Sequence, residues 1–116
     1  MARARSPVLT PTLLDPIAET FELTETELGR LFGVSRQAVG QWRERGVPSN
    51  RMTKVTTVAA VGDLLGHQLK AERIPGIARR PADAYGGLSM LEMIERGRDD
   101  ELLRMVRRTF DWASPA

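Results

Sequence analysis

The sequence predicts an all-α fold, a helix-turn-helix bundle followed by a small helical C-terminal domain. Apolar residues recur at three- and four-residue spacing along most of the chain, and no segment is strand-rich. Ser/Thr-x-x-Glu boxes at Thr24 to Glu27 and Ser89 to Glu92 each precede an apolar run and mark helix starts. Between two helical stretches, Gly33, Val34 and Ser35 supply a left-handed stop, an inward apolar residue and a new cap.

Residues 1–11, beginning MARARSPV, join two arginines to Ser and Pro without an apolar period. They read as a flexible basic arm, one that touches phosphates or a minor groove, or simply as a frayed terminus. The next unit is residues 12–71. Its first helix spans Thr12 to Phe21 with Leu13, Leu14, Ile17 and Phe21 on one stripe, and Asp15-Pro16 is expected to cap and start its main part.

From Thr24 to Arg45 the chain reads as two short helices and a tight turn. Leu28, Leu31 and Phe32 turn inward on the first helix, and Gly29 leaves room for the second to cross closely. Ser35 caps the second helix, whose Val39 and Trp42 share the buried face. The joint spacing of Leu28, Gly29, Gly33, Val34, Ser35, Val39 and Trp42 resembles the helix-turn-helix of the Xre-type group, whose second helix lies in the major groove. Ser35, Arg36, Gln37, Gly40 and Gln41 are then the candidate base contacts. Arg pairs bidentately with guanine and Gln with adenine, while Gly40 opens space. The alternative is a capped helical hairpin in a small bundle, its arginines merely solvated.

Gly46 and Pro48 end that helix, and Ser49 or Asn50 is expected to cap the next. Between Arg36 and Lys54, four arginines and one lysine stand against the single acid Glu44. Phosphate contacts come from such flanks, so Arg43, Arg45, Arg51 and Lys54 are assigned to phosphates. From Arg51 to Lys70, Met52, Val55, Val58, Ala59, Val61, Leu64, Leu65 and Leu69 form a broad apolar face that predicts a long helix buried on more than one side. His67 has no partner ligands at metal spacing and is given a surface or structural role.

Residues 72–116 are expected to form the small C-terminal domain. Punctuation at Ile74-Pro75-Gly76, Arg79-Arg80-Pro81 and Tyr85-Gly86-Gly87 predicts a mostly irregular stretch to Leu88, with one short helical turn at Pro75 to Ala78. A short helix follows the Ser89 box and stops at Gly97, with Leu91 and Ile94 inward. Asp99 is expected to cap the last helix, with Leu102, Leu103, Val106 and Phe110 as its stripe.

The segment from Ile74 to Ala113, with its Pro81-to-Gly87 loop, Leu91-Glu92-Met93-Ile94 helix and last helix, resembles the C-terminal domain of Xre-type antitoxins, the group that includes MbcA and ParS. Leu88 and Met90 depart from that pattern, which has a basic residue and a proline there. The resemblance implies an antitoxin of a type II toxin–antitoxin system that neutralises a partner toxin, often an NAD-consuming one of RES fold, and represses its own operon. It makes exposed aromatic and arginine residues near the chain's end the partner anchors: Arg79, Arg80, Arg107, Arg108, Phe110 and Trp112. Phe110 and Trp112 could equally cover the core or a homodimer seam. The alternative function is a stand-alone helix-turn-helix regulator, of a phage or mobile element, without a toxin.

Composition limits the remaining classes. At 116 residues and formal net charge +2, the chain suits one compact domain or two very small ones and is only mildly basic. Cysteine is absent, so disulfides and thiolate metal sites are excluded. One histidine and acids at helix caps make no catalytic constellation, so an enzyme is not expected, nor a cofactor or a metal. With no apolar run of membrane-spanning length, a cytoplasmic, nucleoid-associated protein is expected, with an operator duplex, a toxin and a second copy of itself as partners.

Overall fold

The structure, a computed structural model, describes residues 9–113, with side chains from 13 to 111. Every regular element among them is helical: α1 (Leu9–Phe21), α2 (Glu25–Phe32), α3 (Arg36–Arg45), α4 (Ser49–Gln68), α5 (Ile74–Arg79), α6 (Met90–Glu95) and α7 (Asp99–Ala113), with 3-10 turns at Ala71–Arg73 and Asp83–Tyr85. The all-α expectation holds. α1 begins at Leu9, inside the stretch read as an arm, and residues 1–8 lie outside the described residues.

The helix boundaries follow from local chemistry. At α2, the Thr24 amide donates to Glu27 Oε1 at 2.8 Å while the Glu27 amide donates to Thr24 Oγ1 at 3.1 Å. The same reciprocal pair opens α6 through Ser89 and Glu92, at 2.8 and 3.1 Å. These boxes satisfy amides that the first turn leaves unpaired. α2 ends at Gly33, whose φ of 71° is left-handed; the Gly33 amide donates to Arg30 O at 3.1 Å and the Val34 amide to Gly29 O at 2.8 Å. Without a Cβ, glycine takes that conformation at little cost.

Three cap expectations are corrected. Pro16 lies in the interior of a continuous α1, and Asp15 pairs with Arg43 instead of capping. Ser49 and Asn50 are the first residues of α4; Pro48 precedes it and no side chain caps it. Asp99 is the first residue of α7, where its charge suits the positive end of the helix dipole.

One apolar core runs through the described residues. It takes Leu14, Ile17 and Phe21 from α1, Leu28, Leu31 and Phe32 from α2, Val39 and Trp42 from α3, and Val55, Val58, Val61 and Leu65 from α4. Ile74, Ala78, Met93, Ile94, Leu102 and Val106 continue it through α5, α6 and α7. α4 packs against both α1 and α7, which is why its apolar residues spread around the helix instead of forming one narrow stripe. Burying each of the larger side chains favours folding by about 1.5–3 kcal/mol. The one buried hydroxyl on α4, Thr57 Oγ1, donates to Thr53 O at 2.9 Å and so enters the core already satisfied.

Candidate nucleic-acid interface

The geometry of α2, α3 and the turn between them is set by a close approach at Gly29. A Cβ there would stand 2.6 Å from the Val34 carbonyl oxygen and 3.2 Å from that of Ser35. The small residue therefore admits the backbone of the turn and of Ser35, the N-cap of α3, and so lets the start of the second helix come close, as its position in the sequence suggests. Beyond the turn, Ser35 Oγ accepts the Ala38 amide at 3.0 Å and starts α3. Phe32 and Trp42 then lock α2 to α3, their ring centroids 5.9 Å apart and the planes tilted by 55°.

With Val39 and Trp42 inside, α3 turns Arg36, Gln37, Gln41, Glu44 and Arg45 outward, and all five are exposed. Gly40 is half-buried amid them. Ser35 is exposed too, its hydroxyl accepting the cap bond. The five candidate base contacts thus sit together at the turn and on the outer side of one helix.

The four phosphate candidates divide. Arg43 Nε and Nη2 grip the Glu25 carboxylate at 3.1 and 2.8 Å, and Nη1 also pairs with Asp15. The bond to Glu25, then that to Asp15, raises the Arg43 pKa above its already high value. This guanidinium joins α3 to α1 and α2. Arg51 Nη1 donates to Phe32 O at 2.8 Å, covering a carbonyl that α2 leaves open at its C-terminus. Arg45 is exposed and Lys54 half-buried, and neither enters an ion pair formed among the described residues.

The candidate partner residues divide likewise. Arg79 Nη1 donates to Phe21 O at 2.7 Å and Pro75 O at 3.0 Å, and Nη2 to Glu22 O at 2.9 Å. It thereby closes the C-terminal end of α1, where Glu22 adopts a φ of 53°, a left-handed value unusual for a residue with a side chain. Arg80, Arg107 and Arg108 are exposed, and Phe110 is half-buried against the core. The side chain of Trp112 lies outside the described residues.

Sequence reasoning overlooked Val47. It is buried between Gly46 and Pro48, in the short connection from α3 to α4, and its signal was a lone branched apolar residue between two helix breakers. Among the described residues no helix is long and apolar enough to cross a membrane, and no cluster of His, Cys, Asp or Glu is placed to hold a metal.

No family model and no curated protein matches the sequence. In fold, the chain is similar to a chain of the crystal structure of the M. tuberculosis MbcT–MbcA toxin–antitoxin complex, with a TM-score of 0.68 and 17% sequence identity over 84% of this chain and 89% of that one. Coverage of that extent reaches well beyond α2 and α3, and at that identity it is a likeness of fold.

Proposed function

We propose that the chain is a DNA-binding antitoxin of a type II toxin–antitoxin system, of the Xre-type group that includes MbcA and ParS. In this reading α3 recognises an operator, residues 72–116 engage a toxin, and the complex represses its own operon. The observation that carries the DNA reading is the outward face of α3, polar along Arg36, Gln37, Gln41 and Arg45 and held in place by buried Val39 and Trp42. The toxin reading is supported by the fold shared with a chain of a toxin–antitoxin complex. The division of labour is one of surfaces, since a single core underlies both.

Arg36, Gln37, Gly40 and Gln41 meet base edges, with Ser35 at the helix start. Arg45 and Lys54 supply phosphate contacts, and Arg43 and Arg51 orient α3 and α4 from within. Arg80, Arg107, Arg108 and Phe110, with Trp112, face the toxin. A two-fold homodimer would place two such helices about one duplex turn apart.

The test has two arms. Binding of the full chain to the promoter DNA upstream of its own gene should be sequence-specific and should weaken steeply with salt, because neutralised phosphates release counterions. The product of the adjacent gene should form a stable complex with the chain and be neutralised by it on co-expression. Specific DNA binding without a neutralised neighbour points to the stand-alone regulator; failure of both arms removes the proposal.

A further inference from the structure

Two of the three glycines in the helix-turn-helix are required by the chain's own backbone. Gly29 admits the turn, and Gly33 takes the left-handed φ of 71°. Gly40 is different. It lies in the interior of α3, and a Cβ built on it would meet no atom within 4 Å. Glycine is among the poorest helix formers, so the monomer gains nothing from it there. Its amide is committed inside the helix, so what the residue offers a ligand is room and not a hydrogen bond.

The surroundings narrow what that room is for. Arg36 and Glu44 lie one turn before and after Gly40, and Gln37 and Gln41 flank it on the same outward side, all exposed. A patch of bare backbone is thus ringed by polar side chains. Among the groups that base pairs display in the major groove, the thymine C5-methyl is the apolar one, and a glutamine reading adenine has that methyl on the other half of the same pair. We infer that Gly40 is where α3 comes closest to the groove floor, and that it accommodates the C5-methyl of a thymine. This rests on the DNA reading of α3 and makes Gly40 a specificity-determining position.

The experiment is a methyl exchange between protein and DNA. The full chain first selects duplexes from a random-sequence pool. Wild type and Gly40→Ala are then titrated with the selected duplex and with copies carrying deoxyuridine, which lacks the methyl, at each thymine in turn. Gly40→Ala should melt at or above the wild-type temperature, yet bind the selected duplex about tenfold more weakly, the discrimination expected of one lost base contact. At one or more thymines, deoxyuridine should restore most of that loss while weakening wild type several-fold. Unchanged binding by Gly40→Ala, a loss that no deoxyuridine restores, or a lowered melting temperature would each overturn the inference and leave the DNA reading standing. A pool from which wild type enriches nothing overturns both.

Discussion

Arg79 Nη1 sits 2.7 Å from the carbonyl oxygen of Phe21, 58 positions earlier in the chain. With the further bonds to Glu22 and Pro75, one guanidinium on α5 closes the end of α1 and holds the corner that leads into α2. Replacing Arg79 by Ala should lower stability by about 1–2 kcal/mol, the range for hydrogen bonds to a charged group with some solvent access. Lys should recover less than half, because a single ammonium cannot span two carbonyls as the fork does. Urea midpoints of the three proteins at neutral pH measure this. An Arg79→Ala protein as stable as wild type would show that the corner holds itself.

Gly29 and Gly40 should respond in opposite directions to the same added methyl. Gly29→Ala forces a Cβ to within 2.6 Å of the Val34 carbonyl oxygen, backbone that cannot swing aside. The cost should be about 2 kcal/mol or more. Gly40→Ala meets open space and gains helix propensity, for a stabilisation of up to about 1 kcal/mol. Thermal melts of the two variants decide the matter. Equal effects would mean that the turn is looser than its contacts imply.

The capping glutamate of α2 gives the fold an acid dependence. The hydrogen bond from the Thr24 backbone amide, followed by that from the Thr24 hydroxyl and by nearby Arg79 and Arg30, holds the Glu27 pKa below its ordinary 4.5. A depressed carboxylate pKa stabilises the folded state above the unfolded value. That contribution is lost as pH falls from about 4.5 through the lower folded value. Glu27→Gln should therefore be less stable than wild type at pH 6, with the gap narrowing as pH falls below 4.5. Denaturation midpoints across that range provide the check.

The parts of this architecture legible in the sequence are those whose partners are close in the chain. Thr24 with Glu27 and Ser89 with Glu92 are three apart, Gly33 follows its helix directly, and Val39 with Trp42 obey the helical period. The destinations of the arginines were not legible. Arg43 finds Glu25 and Asp15 at separations of 18 and 28, Arg51 finds Phe32 at 19, and Arg79 finds Phe21 at 58. No periodicity encodes such distances. On sequence alone, an arginine that ties helices together looks the same as one that waits for a phosphate. Pro16 misled for a related reason: it reads as a helix start, but packing of Leu14 and Ile17 into the core carries α1 through it.

That distinction is measurable in the proposed DNA complex. Arg45→Ala should weaken binding to all sequences alike and reduce the salt dependence by about one phosphate contact. Arg43→Ala should instead lower the melting temperature, since it leaves Glu25 and Asp15 without their shared partner. Arg36→Ala and Gln37→Ala should cost about 1–3 kcal/mol on the selected site and little on random duplex. Titrations at several salt concentrations, with a thermal melt of each variant, separate the three classes. Equal losses on both kinds of DNA would move Arg36 or Gln37 to the phosphate group.

α4 serves as a wall for α1 and for α7 at once. A chimera that grafted residues 72–116 of another protein onto the preceding helices would have to import side chains that pack against α4, or re-cut that helix to suit the newcomer. Recombination between cousins of this chain would then be expected to exchange the two ends together, so that, under the proposed function, a change of DNA address and a change of toxin would be inherited as a pair.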